Sequence, residues 1–264
     1  MLALVFGIVG LVVLMAWGLV LSLLAVLPSD DERQEHISAS RSSSEPRSGT
    51  SESIARERDD LAARPMPTPG TAAVDVYRPW MPAPLSTRDP GAPIVLPPSR
   101  GIDRVGVTTG YPQTSEGAVA QLAAIDQAAL QSLSLPGVRA VISEWAAPGG
   151  PTAVTWSGVK AMAGLLDSAG LPGSGSPSLT IVVTPAMGLV KGTVGEDFTV
   201  VCVDFAVEVA LGQTRSAAVA DCQRMLWQNG RWLIGPGAEP AEAESVWPDT
   251  DAAYDVGFRD LVHG

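Results

Sequence analysis

Between Leu2 and Leu27 the chain carries no charged residue, and Ser22 is the only polar side chain in the run. As a helix rising 1.5 Å per residue, such a run is about 39 Å long, more than the roughly 30 Å of hydrocarbon in a bilayer. A transmembrane helix is therefore expected over residues 1–28. The competing reading, a cleaved secretory signal, calls for a basic leader, a shorter apolar stretch and a small-residue cleavage site. No Lys or Arg precedes the run, and Leu24-Ala25-Val26-Leu27-Pro28 offers no Ala-x-Ala. Orientation is weakly encoded: Arg33 is the only basic residue close behind the run, and by the positive-inside rule it favours a cytoplasmic C-terminal side.

Residues 29–101 read as a linker. From Ser29 to Leu61 the chain alternates Ser, Glu, Asp and Arg with few apolar residues. That composition buries too little surface to offset ordering entropy, so disorder is expected. Ten prolines follow between Pro65 and Pro98. An extended, semi-rigid spacer with a reach on the order of 100 Å is expected there. Tyr77 and Trp80 lie within it as candidate contacts, either with a partner or with the domain itself.

The folded unit is placed at residues 102–264. Thr114 is positioned to cap a helix, with Glu116 complementing the dipole of its first turn. Ala118, Leu122, Ile125, Ala129 and Leu133 recur at steps of three and four, a core-facing stripe. Pro136-Gly137 ends it, Val138 to Trp145 reads as a second helix, and Trp156 to Ser168 as a third with Gly170 at its end.

From Leu179 onward the period becomes two. Leu179–Val183 reads as a strand that Leu189–Val194 continues or pairs with, and Thr199–Leu211 alternates Val and Phe with Cys202, Asp204 and Glu208. After a turn near Gly212, Arg215–Trp227 returns, and Asn229-Gly230 is a hairpin signal leading into Arg231–Ile234. Three helices followed by an antiparallel meander make an α+β domain. A hairpin centred on Gly212 sets Cys202 directly opposite Cys222, within disulfide range. A disulfide and two neighbouring free thiols both remain open, since the redox compartment chooses between them.

The formal charge is -11 and no basic stripe occurs, so direct nucleic-acid binding is not expected. The chain has two histidines, His36 in the linker and His263 beside the C-terminus, and no Cys/His cluster with metal spacing. Catalytic, cofactor and metal residues are therefore not assigned. Gly173-Ser174-Gly175-Ser176 lacks the Lys-Ser/Thr ending of a phosphate loop and reads as a turn. Asp204 and Glu208, on the strand face opposite the Val/Phe row, and Asp126, off the helical stripe, are the carboxylates to consider for general-base work; all three are expected to be solvated.

The stretch Gly106-Val107-Thr108-Thr109-Gly110-Tyr111-Pro112-Gln113-Thr114-Ser115-Glu116-Gly117-Ala118 resembles the opening motif of actinobacterial membrane-anchored proteins found on integrative and conjugative elements. The close, Trp247-Pro248-Asp249-Thr250 through Gly257-Phe258-Arg259-Asp260-Leu261, is similar to theirs. The element order between them resembles the nuclear-transport-factor-2-like cone of the bitopic scaffold component of type IV secretion systems. The resemblance implies a non-enzymatic, single-pass scaffold in the cell membrane, its soluble domain extracytoplasmic. Its partners would be other membrane-bound transfer or secretion components, with homo-oligomers also compatible. Two alternatives stand beside it: a tethered cone that binds a small ligand or catalyses a reaction, and a cell-envelope protein unrelated to transfer.

Overall fold

The computed structural model describes residues 48–70 and 79–264. The apolar run Leu2–Leu27 and Tyr77 lie outside the described residues. Among the described residues no helix is long and apolar enough to cross a membrane.

The architecture is α+β: a curled, half-barrel sheet of six strands in the order β1-β8-β4-β5-β6-β7, with helices packed on it. Its centre is a meander of three long strands, β4 (Thr180–Thr193), β5 (Phe198–Leu211) and β6 (Gln213–Gln228). Strand β7 (Arg231–Ile234) follows β6 through the Asn229-Gly230 turn, where both residues have positive φ. The other edge joins the two ends of the domain. Strand β8 (Arg259–His263) pairs with β4 antiparallel at Met187 and Gly188, and β1 (Ile94–Leu96) pairs with β8 in parallel. A separate two-stranded hairpin is formed by β2 (Gly101–Ile102) and β3 (Thr108–Thr109).

One face of the sheet carries α2 (Ser115–Gln131), α3 (Leu135–Trp145) and α4 (Ser157–Ser168). The Thr114 hydroxyl accepts from Gly117 N–H at 3.1 Å, and Ser134 caps α3 through Gly137 N–H at 3.2 Å. Gly117 is obligatory for a steric reason, because a Cβ there would stand 2.1 Å from the Pro112 carbonyl oxygen. Gly188 plays a similar part on β4, where a Cβ would meet Leu261 at 2.8 Å and Val119 at 3.1 Å. Helix α2 therefore lies close on the sheet. Val201, Val203, Phe205 and Val207 pack beneath it with Leu122, Ile125, Ile142, Trp145 and Met162 in one core.

The opposite face is also covered. Residues 239–258, which include the short helix α5 (Asp251–Val256), lay Ala243, Val246, Ala253, Val256 and Phe258 over Met187, Cys202 and Cys222. At the β4–β5 end, α1 (Ser48–Ala63) places Leu61 and Ala62 on Val194, Phe198 and Val200.

This corrects two expectations. Ser48–Ala63 is helical rather than disordered, because the helix gains a docking site: Arg58 pairs with Asp197 at 2.7 Å, Asp59 with Arg224 at 2.6 Å, and Leu61 is buried. The proline-rich stretch is not a free spacer. Its carbonyl at Pro79 accepts from Ala218 N–H at 2.7 Å, Ser86 N–H donates to Asp249 at 2.7 Å, and Ile94–Leu96 enters the main sheet. The folded unit thus begins well before residue 102. Of the two readings open for Leu189–Val194, continuation holds: Thr180–Thr193 is one strand, β4, interrupted by register shifts at Pro185/Met187 and Val190/Gly192.

Candidate functional site

The β5–β6 register runs unbroken from Leu211 opposite Gln213 to Phe198 opposite Leu226, so odd residues such as Val203, Phe205 and Met225 face the helical core, while even residues face the other side, Cys202 and Cys222 under the tail and Phe198 and Val200 under α1. Asp221 and Gln223 of β6 are odd. Asp221 meets Asp126, which α2 carries in its middle, and Gln223 bonds Asp221.

Asp126 is 6 % exposed and one of its carboxyl oxygens has no hydrogen-bond partner. Burial, then the neighbouring charge of Asp221 and a hydrogen bond to it, hold Asp126 well above the usual carboxylate range. The Asp221 carboxyl is enclosed although the residue is only part-buried, and enclosure pushes it up to about 6. Gln223, itself 1 % exposed, donates to both Asp221 oxygens at 3.2 and 3.0 Å and opposes that rise, while the charges of Glu239 and Glu242 add to it. One proton shared between two buried carboxyls is the arrangement such geometry enforces, because two adjacent carboxylates cannot both be charged away from water.

On the tail side, Asp204 is fully buried and neither oxygen completes a hydrogen bond. Burial pushes its pKa well up; the amides of Val246 and Phe205 favour the charged form without overcoming that effect. Glu208, on the same face nearer the hairpin tip, is exposed. The solvated state expected for Asp126 and Asp204 is thus corrected, and the reason is tertiary. Asp204 does face away from the Val/Phe row, but the C-terminal tail lies over that face. Asp126 does sit off the stripe, but α2 is buried on nearly every side. A clue was present: Ala118–Ile125 contains Gln121 as its only polar residue, the composition of a helix apolar all round.

Cys202 and Cys222 are joined by a disulfide, with Cα atoms 4.0 Å apart, beneath Val246 and Phe258. Trp80 is 44 % exposed and sits on the strap that crosses β6. Sequence reasoning did not single out Asp221, Gln223 or Arg224. Arg224 is 6 % exposed, lies over the Phe198 ring at 5.4 Å and is paired by Asp59 of α1.

Two depressions on the described surface are open grooves. One, of about 430 Å³, is bordered by Ile94, Val95 and Glu116; the other, of about 460 Å³, by Ile54, Arg58 and Arg224. Neither touches the Asp126–Asp221 pair. Among the described residues no group of three or more His, Cys, Asp or Glu is placed to hold a metal ion. In comparisons with known protein families, with curated proteins and with solved structures, the chain matches none of them.

Proposed function

We propose that the chain is a non-enzymatic, single-pass membrane scaffold of a conjugative-transfer or type IV secretion-like assembly. Its soluble domain, a nuclear-transport-factor-2-like cone, works through protein–protein contacts. The observation that supports this reading is the helix–sheet interface, where Leu122, Ile125, Trp145, Phe205 and Met225 pack in one apolar core, none more than 1 % exposed. The Cys202–Cys222 disulfide supports an extracytoplasmic placement, since structural disulfides persist in oxidising compartments. Helix α1 begins only about 20 residues after the apolar run, a chain length that spans at most about 70 Å, so the domain works near the membrane.

The test is deletion of the gene in a host that carries the transfer system. Loss of transfer, together with co-purification of other transfer components on the tagged full chain, is expected. Unchanged transfer and no such component on the tagged chain would sink the scaffold reading.

A second reading is favoured by one observation, the proton-sharing Asp126–Asp221 pair, which a ligand-binding or catalytic cone would use as its acid or base. Tight, stoichiometric retention of a small molecule, lost in Asp126→Asn, would favour it over the scaffold.

A further inference from the structure

Between Pro79 and Arg88 the chain crosses the surface of the domain as a strap fixed at both ends. At one end Ala218 N–H donates to the Pro79 carbonyl at 2.7 Å. At the other, Ser86 N–H donates to the Asp249 carbonyl at 2.7 Å, and the Arg88 guanidinium bonds Asp251 and Asp255, each at 2.9 Å. Between these anchors Pro82 and Pro84 fix their own φ and hold Met81 and Ala83 in the extended region. The same prolines remove two backbone donors, so the segment is a poor template for another strand.

What the strap exposes is apolar. Trp80 is 44 % exposed, Met81 49 % and Leu85 72 %. Isolated exposed hydrophobic side chains are ordinary; three large ones within six residues of a fixed, proline-spaced segment concentrate exposed apolar surface on one short stretch of chain. Because both ends are anchored, much of the ordering entropy of a docking peptide is already lost before a partner arrives.

We propose that Trp80–Leu85 is a preformed docking ligand for a partner protein bearing an aromatic-lined groove with a basic rim. Aromatic grooves read extended, proline-spaced segments through shape and apolar contact. The basic rim follows from the border of the strap, where Ser86 bonds the Asp249 main-chain carbonyl and the Asp251 carboxylate, and the three acids Asp249, Asp251 and Asp255 outnumber Arg88, the cation paired with two of them. That acidic border also opposes contact with an anionic lipid surface. The inference rests on the scaffold reading and names the kind of partner the scaffold holds.

The test uses the full chain in its own membrane, with a photo-crosslinking residue at Leu85 and a synthetic peptide of residues 79–88 as competitor. A single protein adduct is expected, mapping to aromatic residues of a groove. The peptide should reduce it about tenfold, and a peptide carrying Pro82→Ala and Pro84→Ala should not. Adducts with lipid, with a second copy of this chain, or with nothing would overturn the proposal, as would equal competition by both peptides. A Met81→Asp/Leu85→Asp variant keeps the two readings apart, since both residues are exposed and its melting temperature should stay within about 2 °C of wild type. If it co-purifies transfer components as wild type does, while deletion abolishes transfer, the docking strap falls and the scaffold stands. If deletion itself changes nothing, the scaffold reading falls.

Discussion

Asp126 in the middle of α2 and Asp221 on β6 meet carboxyl to carboxyl, and this contact makes the domain's stability depend on pH. Both folded-state pKa values are raised. Below the ordinary carboxylate value near 3.8 both acids are protonated, folded or not, and their contribution is fully present. As pH rises, the unfolded chain releases these protons first, so the folded state binds more protons and stability falls. For Asp221 the loss runs from 3.8 to about 6, roughly 3 kcal/mol at most; for Asp126 it continues higher. Thermal unfolding should therefore give a melting temperature higher at pH 5 than at pH 8, by about 5 °C or more. Asp126→Asn should flatten that slope, and an unchanged slope would show that the pair does not share a proton.

Asp204 has the same sign for a different reason, having no acidic neighbour and only incomplete help from the Val246 and Phe205 amides. Asp204→Asn is expected to stabilise the domain by about 1–3 kcal/mol at pH 8 and to do little near pH 4. Chemical denaturation at the two pH values measures this. Equal effects at both would mean that the residue acts by shape rather than by charge.

Opening the Cys202–Cys222 link frees a loop with a sequence separation of 20 residues, for which the chain-entropy account gives a loss of about 3 kcal/mol. Cys202→Ala/Cys222→Ala should lose that stability, and reductant should shift the wild type by a similar amount while leaving the variant unmoved. Mass spectrometry after alkylation without reduction should find neither thiol modified.

Leu61 is the main apolar side chain that fixes α1 to the sheet. Leu61→Ala should cost about 2–4 kcal/mol if α1 is part of the cooperative unit. Amide exchange should rise through Ser48–Ala63 in that variant. A free tether would show rapid exchange there in wild type as well.

Arg88 links the strap to α5 through Asp251 and Asp255. Arg88→Ala should raise protease susceptibility between residues 79 and 93 without moving the melting temperature by more than about 2 °C, because the pair is solvent-exposed. Cleavage at the wild-type rate would mean that the Pro79 and Ser86 backbone bonds hold the strap alone.

Much of the α+β plan was legible because it rests on local signals. The Thr114 cap, the Gly212 and Asn229-Gly230 turns and the alternation along β5 and β6 act over a few residues, so the Cys202–Cys222 register followed from counting. Helix α3 starts at Leu135, capped by Ser134, three residues ahead of the Val138 start that the apolar pattern suggests. The docking of α1 and of the strap was not legible, because their anchors lie far away in the chain: Arg58 reaches Asp197, Asp59 reaches Arg224, and Pro79 reaches Ala218. A polar helix with little apolar surface of its own carries no periodic mark of such a partner.

The sequence by itself determined the local elements, the side chains on each face of β5 and β6, and an apolar run long enough to span a bilayer, since spacing, turn chemistry and hydropathy are properties of neighbouring residues. Tertiary structure alone decided which faces meet water. The C-terminal tail closes over Asp204, and α2 is enclosed so that Asp126 meets Asp221, which turns carboxylates expected in solvent into buried acids. Burial depends on what distant segments cover, and charge state follows burial.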